Sequence, residues 1–439
     1  MATPLSGRLG PQIGRRVWLA ASLATPLTLA MGRTPVGGHL RWDLPWQLSG
    51  LDPHSPYDFA SALFAPAVFD SLYDLDGQGR PYPSLAVDAP VASNGGLMIR
   101  LRSGLQTSRA RSLSAREVVH SLQRAKSAGN RWLGALGEPT LVPGDPLAVR
   151  FSTSNSRLLT QRLASPLAAI ASRQSTAIRP DGTGSFRVSG VGRQLVLVRN
   201  LRAARGSAFL ERMSIRSVAD LRQSLKSFES GSTDIGWLGA GLYKARSQSI
   251  KFQLPSPAWV VLRTGKDAGA WGAPGAAQLL SNAVPAAQLG AWGVRREFSP
   301  NEQTRWGGYA TTILVPRNEP QLLGIAQSVA GALSTAMAPL TVDTTANIAA
   351  KRQRRDYSLM LDVVRNPRFL GGTAEALYAA DGARLTRAGS AATKNEYELT
   401  RLLRLGVLGE LEFRGATIPS MHGISQPAMG DWWLAPSKP

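Results

Sequence analysis

The sequence predicts an α/β protein of two lobes, and three features of the chain support that prediction. Its 439 residues exceed what one hydrophobic core usually serves, because most domains hold ~100–200 residues. From residue 311 onwards, short apolar strands alternate with amphipathic helices, which is typical of a largely parallel sheet. Between the two halves, the apolar run 253–263 contains Pro255 and Pro257, which favour an extended crossing between lobes.

The first lobe opens with the stretch 38–83. Residues 40–42 indicate the start of a strand. Residues 51–53 (Leu-Asp-Pro) indicate a turn, because Pro fixes its own φ and biases the preceding residue towards extended geometry. Ser55 or Asp58 can cap the helix that follows. Pro66 interrupts that helix, so we expect a kink or two short helices along the apolar ridge of Phe64, Val68 and Leu72.

The rest of the first lobe combines strands with two further helices. Residues 97–102 follow a Ser-Asn-Gly-Gly turn and predict a hairpin strand, and 195–199 predict a buried strand. Ser114 and Glu117 form a capping box, in which each side chain satisfies a backbone N–H exposed at the helix start. The next helix has Ser217 as its expected cap and Gly231 as its stop. The buried faces are predicted to be Val118, Leu122 and Ala125 in one helix and Val218, Leu221, Leu225 and Phe228 in the other.

The second lobe is predicted from the regular alternation of strand-like and helix-like patterns of apolar residues. Strands are expected at 311–315, 340–342 and 357–364. The helix between the first two has an apolar face of Leu322, Ile325, Val329 and Leu333. A last helix is expected at 397–405, after which residues 411–413 cross back and the tail at 429–434 packs on the first lobe.

Composition excludes several kinds of site. The chain has no cysteine, which removes disulfides, thiolate zinc sites, cysteine nucleophiles and a lipid anchor on an N-terminal cysteine. The formal net charge is +21, but arginine is scattered singly, and only 351–355 (Lys-Arg-Gln-Arg-Arg) is dense. This distribution argues against a nucleic-acid partner. It indicates a solvated basic surface or attraction to an acidic envelope surface.

The first thirty residues have the parts of a secretory signal peptide. Arg8, Arg15 and Arg16 precede a short apolar stretch, and small residues permit cleavage after Ala30. The apolar stretch is shorter than the ~20 residues of a transmembrane helix. Residues 14–19 loosely resemble a twin-arginine export signal, and the alternative interpretation is an uncleaved, disordered leader.

Several of these segments resemble, in the same order, the family 5 extracellular solute-binding proteins, which are the dipeptide-, oligopeptide- and nickel-binding receptors of ABC importers. The family opens with Leu-Asp-Pro, Leu-Tyr, Gly-x-x-x-Pro and Leu-Ala, found here at 51–53, 72–73, 79–83 and 85–86. Residues 113–121 match the family's Leu-Thr-Ala-x-Asp-Val-Val-x-Ser, and 181–186 match its Gly-Thr-Gly-Pro-Phe turn. The usual His-Asp-Gly is replaced at 108–111, so the contacts of that loop are not carried over.

The resemblance implies a two-lobed periplasmic binding protein of the type II-like, Venus-flytrap form, with a discontinuous first lobe. We expect a signal peptide at 1–30, lobe I at 37–255 with 411–439 returning to it, and lobe II at 256–410. The implied function is to capture a peptide or similar small solute between the lobes and deliver it to an ABC permease in the inner membrane. The expected protein is a periplasmic monomer that binds no nucleic acid and needs no cofactor or metal.

Candidate ligand-binding residues come from two sources. Aromatic side chains suit a ligand cleft, and those at expected strand ends or lobe crossings are Trp46, Tyr57, Trp237 and Trp259. Peptide-binding relatives pair an aspartate, soon after the strand equivalent to 357–364, with the amino terminus of the ligand. Asp362 is the nearest carboxylate here, and it stands slightly early. Arg365 beside it favours an anionic ligand over a free amine.

The sequence offers no catalytic set to name. The histidines lack the spacing of a metal pair, and no Gly-x-Ser-x-Gly nucleophile turn occurs; they are His39, His54, His120 and His422. Asp74 and Asp76 form an acidic pair in a turn, where solvation and capping are the usual roles. Two alternatives to a transport receptor stay open. One is a divergent receptor-derived protein with a sensory or structural role, and the other is a hydrolase.

Overall fold

The computed structural model describes residues 37–45, 48, 50–218, 221–237, 249–266, 268–273, 275–290, 292–296, 309–317, 319–368, 377 and 405–417. By its contacts the chain divides into Met1–Gly37 and Gly38–Pro439, and the fold below is that of the second unit. The predicted signal peptide, Trp46, most of the helix predicted at 397–405 and the tail at 429–434 lie outside the described residues.

The described elements are groups of strands separated by helices, and single strands alternate with single helices from β14 to β16. The strands are β1 (His39–Leu44), β2 (Tyr73–Leu75), β3 (Pro81–Pro83), β4 (Val91–Ser93), β5 (Gly96–Arg100), β6 (Thr140–Val142), β7 (Asp145–Phe151), β8 (Phe186–Gly190), β9 (Gln194–Arg199), β10 (Arg212–Ser217), β11 (Ile235–Trp237), β12 (Ile250–Thr264), β13 (Val294–Arg295), β14 (Thr311–Pro316), β15 (Leu340–Thr345), β16 (Leu359–Arg365) and β17 (Leu405–Thr417). The helices are α1 (Phe59–Val68), α2 (Ala115–Ser127), α3 (Ser156–Leu163), α4 (Leu221–Glu229), α5 (Ala276–Ala283), α6 (Ala286–Gly290), α7 (Pro320–Leu333) and α8 (Ile348–Arg354). Within the described ranges, no helix is both long and apolar enough to span a bilayer.

A mixed sheet, 11-stranded within the described residues, joins the two halves of the unit. Its order is β15-β14-β16-β12-β17-β11-β1-β10-β9-β8, with β13 paired to β17. The long strands β12 and β17 are antiparallel to each other along most of their lengths. One end of β17 pairs with β11, and the far end of β12 pairs with β16, so these two strands connect the halves. The strand predicted at 253–263 is therefore observed, while the lobe boundaries placed near it stay a prediction.

The half that contains β1 is built around parallel pairing. β1 pairs in parallel with both β10 and β11, and β9 and β8 continue the sheet in antiparallel fashion. Helix α4 packs on β1 and β11. Phe228 lies directly over Gly236, where an added Cβ would come within 2.4 Å of the ring, so the strand requires glycine there. On the inner face, the rings of Trp42 and Phe64 meet edge to face at 5.4 Å.

The other half has the parallel strands that the alternation of strands and helices from residue 311 onwards predicts. β14 pairs in parallel with β15 and with β16, and α7 and α8 connect them. Leu322, Ile325 and Val329 of α7 are buried as expected, whereas Leu333 is half-buried. β16 is buried along its whole length. Parallel strands are normally covered on both faces, which agrees with that burial.

A smaller subdomain is inserted between β3 and β8 and has its own core. Its sheet has the order β4-β5-β7-β6, and α2 and α3 pack with it around Trp132, Phe151 and their apolar neighbours. The predicted capping box is present at the start of α2. Ser114 N donates to Glu117 Oε2 at 3.0 Å, and Ser114 Oγ accepts from Arg116 N at 3.3 Å. Val118, Leu122 and Ala125 are buried, as predicted.

Three local predictions differ from the structure. α1, which Asp58 caps as one of the two expected residues, is a single helix rather than two short ones, and it ends two residues after Pro66. Leu72 therefore lies beyond the helix, because Phe69 is already extended. Ser217 ends β10 instead of capping α4. Leu405 begins β17, where its pairing with Arg263 of β12 holds it extended.

Candidate functional site

The carboxyl ends of β14 and β16 lie at the same edge of the parallel sheet, and residues 51–58 from the other half of the unit meet that edge. Arg365 N, at the end of β16, donates to Pro56 O at 2.8 Å. Crevices at the carboxyl ends of parallel strands are the usual ligand sites of open α/β sheets. This junction is therefore the candidate site, and we call residues 51–58 the 51–58 segment.

Arg365 fastens the 51–58 segment to β16. Its Nη1 donates to Pro53 O and Ser55 O, each at 2.9 Å, and the residue is only 2% exposed. Burial lowers the pKa of Arg365 to about 10, although the carboxylates of Asp58 and Asp52 oppose that change. Arg365 is consequently a buried cation at neutral pH. Its predicted role in ligand binding stays a prediction, and the structure adds a positioning role.

Asp362 lies at the centre of a buried ion-pair network. Its Oδ2 accepts from Arg263 Nη1 at 2.9 Å and from Arg352 Nε at 2.7 Å, and its Oδ1 accepts from Arg352 Nη2 at 2.8 Å. Burial by itself would raise the pKa of the Asp362 carboxyl. The charge and hydrogen bonds of Arg352, followed by those of Arg263, hold that pKa below its usual value. Two guanidinium groups thus share one carboxylate.

Tyr57 connects the 51–58 segment to this network. The guanidinium carbon of Arg352 lies 4.1 Å from the centroid of the Tyr57 ring, and that of Arg263 lies at 5.4 Å. Both distances are within the range of cation–π attraction, which strengthens where water is excluded. Tyr57 also packs against the buried cluster of Trp259, Val261, Val364, Leu377 and Leu405. The predicted residues Tyr57, Trp259 and Asp362 are therefore brought together.

Burial raises the pKa of two carboxyl groups next to this network. Burial, with smaller contributions from the negative charges of Asp58 and Asp362, raises the pKa of Glu319 to about 8. Burial also raises the pKa of Asp58, while its hydrogen bonds with Ser61 act in the opposite direction. Glu319 immediately precedes α7, at the carboxyl end of β14. It places a protonated carboxyl, a hydrogen-bond donor, beside the candidate site at neutral pH.

The base of the 51–58 segment is fixed by a second set of contacts. Arg124 Nη2 donates to Asp52 Oδ2 at 2.8 Å, and His54 Nε2 contacts Ala169 O at 2.8 Å. Burial lowers the pKa of His54 to about 4, although its hydrogen bond with Ala169 opposes the change. His54 is therefore neutral at physiological pH, and the carbonyl of Ala169 assigns the proton to Nε2. Its surroundings suit a structural histidine rather than a general base.

The two remaining candidate tryptophans are not brought to the junction by any described contact. Trp237 is 2% exposed and lies in the main hydrophobic core, away from the Tyr57 cluster. Trp46 lies outside the described residues. Both assignments stay predictions. The structure adds Arg263, Arg352 and Glu319, which sequence reasoning did not name. Arg352 stands in the one dense basic run of the sequence, and this was the available signal for it.

The arrangement suits binding more readily than covalent chemistry. Within the described part of the chain, no three His, Asp or Glu side chains are grouped as a metal site requires. Around the junction the described charges are Arg124, Arg263, Arg352 and Arg365 against the carboxylates of Asp52, Asp58 and Asp362, with Glu319 neutral at pH 7. The described residues of the junction therefore carry a net positive charge. A solute with a negative group would complete it.

Solved structures with the same architecture include MoaA from A. tumefaciens R10 in complex with mannopinic acid. The TM-score is 0.72 at 14% identity, over 92% of this chain and 99% of that one. For the oligopeptide-binding protein AppA of Bacillus subtilis, in complex with a nonapeptide, the TM-score is 0.69 at 13% identity, and the match covers 92% of this chain and 100% of that one. For NikA of Staphylococcus aureus, in complex with Ni(L-His)2, the TM-score is 0.66 at 12% identity, and the match covers 90% of this chain and 98% of that one.

No protein-family model matches the chain, and no curated protein sequence matches it. The solved neighbours, at 11–16% identity, establish the architecture and not the ligand. The resemblance to family 5 solute-binding proteins is confirmed at the level of the fold. The chain has the two-lobed α/β fold of periplasmic binding proteins, over about 90% of its length.

Proposed function

We propose that the protein is the solute-binding component of an ABC importer, which captures a small solute between its lobes and delivers it to a permease in the inner membrane. The observation that carries this proposal is the nearly full-length fold likeness to proteins solved with mannopinic acid, a nonapeptide and a nickel–histidine complex. No covalent step is involved, so the protein is a binding protein and not an enzyme. Ligand acts by shifting the population from open to closed lobes.

The proposed ligand site is the junction between the 51–58 segment and the carboxyl ends of β14 and β16. Tyr57, Trp259, Asp362 and Arg365 are its candidate residues, and Trp46 and Trp237 are kept as further candidates. Lobe I then comprises 37–255 with 411–439, and lobe II comprises 256–410. The hinge lies in β12 and β17, the two strands that connect the halves.

The proposed solute carries a negative charge. Asp362 is engaged by two arginines, so it is a poor partner for the amino terminus of a peptide. The excess charge of the junction is positive, and guanidinium groups bind carboxylates through strong, directional hydrogen bonds. A small carboxylate-bearing solute therefore fits better than a free amine.

The protein is proposed to work in the periplasm as a monomer, exported by the signal peptide at 1–30. The basic start and short apolar core of that segment support export.

Native mass spectrometry of protein purified from the periplasm without added ligand tests this function. We expect a discrete extra mass that is lost on unfolding, and a rise in melting temperature with matching carboxylate solutes but not with their amides. A clean apo mass, with no stabilisation by peptides, sugars, carboxylates or metal chelates, would contradict solute capture.

One observation favours a second candidate, a receptor-derived protein with a sensory or structural role. Asp362 is bound by both Arg263 and Arg352, and Arg365 is bound to the 51–58 segment, so each of these charged groups already has a protein partner. Small-angle X-ray scattering separates the two candidates. Compaction on adding the solute found by mass spectrometry supports a receptor, and an unchanged radius of gyration supports the structural role.

A further inference from the structure

Strands β1, β10, β9 and β8 share one outer face, which helix α4 covers at the β1 side. Residues directly opposite in neighbouring strands share a face, and the register places His39, Arg212, Val198 and Arg187 in one row. The alternate residues, including Trp42, Ile215 and Leu197, are fully buried on the inner side. The row that begins with His39 therefore belongs to the outer face.

Five arginines project from or border this outer face, which we call the arginine face: Arg41, Arg187, Arg193, Arg212 and Arg216. Two of them are paired with acids that lie beneath them. Arg41 contacts Asp234 at 2.9 Å and Arg216 contacts Asp43 at 2.6 Å, yet the two arginine side chains remain 50% and 56% exposed. Their aspartates are only 11% and 2% exposed. The pairs thus present guanidinium groups outwards and keep their carboxylates below.

The other three arginines supply unbalanced charge. Arg187, Arg193 and Arg212 are exposed, and their side chains make no ion pair with any residue that the structure describes. On the outward positions of β1, β8, β9 and β10, Asp43 is the single carboxylate. Glu211 is the exposed acid nearest to the border, immediately before β10. Counting it, the arginine face carries an excess of cations.

Helix α4 covers the outer face at β1 and β11, whereas none of the described helices packs on the outer side of β8, β9 or β10. Strands lie ~4.8 Å apart, so the guanidinium groups spread over an area ~15 Å wide rather than converging in a pocket. Spread, exposed arginines suit a flat array of phosphates and not a single small anion.

We propose that the arginine face binds the surface of an anionic phospholipid membrane. An acidic protein segment would match one row of charges, whereas the surface of a bilayer matches charges spread in two dimensions across several strands. Single-stranded nucleic acid would need exposed aromatic side chains for stacking, and the outward positions of the four strands hold none. The inference does not depend on solute capture, because the arginine face lies on β1 and β8–β10 and not at the junction of the 51–58 segment with β16.

Vesicle flotation with the full chain tests the proposal. The wild-type protein is expected to float with phosphatidylglycerol-containing vesicles and not with pure phosphatidylcholine, and less as salt rises. The variant R187Q/R193Q/R212Q removes the three unbalanced cations and leaves the paired arginines intact. Each arginine near an anionic surface changes affinity roughly five-fold, so the triple variant should bind about 100-fold more weakly.

A charge-matched control separates this face from net charge alone. R116Q/R157Q/R179Q removes three exposed arginines from other parts of the protein. It should bind vesicles within a few-fold of wild type, and both variants should keep the wild-type melting temperature. Equal loss in the two variants, flotation with neutral vesicles, or no flotation of the wild type would overturn the proposal. The proposal would also be overturned, in favour of a nucleic-acid partner, if the protein bound DNA more tightly than vesicles and R187Q/R193Q/R212Q weakened that binding.

Discussion

Replacing Asp362 by Asn would remove the one carboxylate that two buried guanidinium groups share. The side chains of Asp362, Arg263 and Arg352 are 1%, 5% and 13% exposed, so water replaces little of the lost interaction. Asn can accept with its oxygen, but its NH2 group would face a guanidinium N–H, donor against donor. The variant therefore leaves uncompensated positive charge inside the protein.

The expected cost follows from the contacts on the carboxylate. Three guanidinium hydrogen bonds of 2.7–2.9 Å and the backbone N–H of Val363 at 3.0 Å converge on Asp362. Removing one partner of a buried pair typically costs ~3–5 kcal/mol, because the remaining charge stays desolvated. We expect D362N to lower the free energy of unfolding by about 3–5 kcal/mol.

Urea unfolding, followed by tryptophan fluorescence, measures the change, and D343N provides the matched control. Asp343 is exposed on β15, and its side chain accepts one hydrogen bond, from Thr344 N. Its substitution should change stability by less than ~0.5 kcal/mol. A loss below ~1 kcal/mol in D362N would refute the reasoning, because the network would then be hydrated in solution.

The pH dependence of stability provides a second measurement on wild type and D362N. The folded pKa of Asp362 is depressed, so its contribution is present above the unfolded value of ~4 and is lost as the pH falls through the folded value. The stability difference between wild type and D362N should therefore shrink below about pH 4. A difference that stays constant down to pH 2 would show that the pKa of Asp362 is not depressed in the folded protein.

Three further predictions concern the junction and its support. R365M should lower the free energy of unfolding by about 2–4 kcal/mol in urea titrations, because the carbonyls of Pro53 and Ser55 lose their donor; an unchanged midpoint would show that water replaces the guanidinium. Burial raises the pKa of Glu319 from its ordinary value of 4.5 to about 8 in the folded protein. The contribution of its neutral form to stability is therefore complete below pH ~4.5 and is lost as the pH rises to about 8. E319Q should therefore match wild type near pH 5 and melt at a higher temperature near pH 9, and parallel pH profiles would contradict this. G265A should cost more than ~3 kcal/mol, because its Cβ would lie 1.6 Å from Tyr357 O, whereas G331A in α7 meets nothing within 4 Å and should be neutral or slightly stabilising; similar thermal melts for the two variants would contradict the close approach at Gly265.

Sequence reasoning succeeded where the determinants are local. The capping box of α2 depends on two residues three positions apart, and the structure reproduces it. The alternation of strand and helix after residue 311 predicted the parallel order of β14, β15 and β16. Leu405 shows where such reasoning fails. A helical period predicted it in a helix, but pairing with a strand about 140 residues earlier holds it in β17.

The candidate site was predicted in part, because its members are distant in the chain. Tyr57, Trp259, Asp362 and Arg365 were named from aromatic type, position and family resemblance, and the structure brings them to one junction. Their partners were missed. Arg263 is separated from Asp362 by 99 positions, and no local pattern connects the two. The fold also determines that Arg365 contacts carbonyls of the 51–58 segment, which are more than 300 positions away.

The charge preference of the site follows from those missed partners and not from Asp362 itself. A free carboxylate at position 362 would attract a cationic amine, as in peptide recognition. Here Arg263 and Arg352 occupy both of its oxygens, so a ligand amine would have to displace a guanidinium that is already desolvated. The described arginines around the junction outnumber its carboxylates by one, so the charge left over is positive. The anion selectivity that we propose therefore depends on two arginines sharing one aspartate, and D362N would increase that positive excess at the expense of stability.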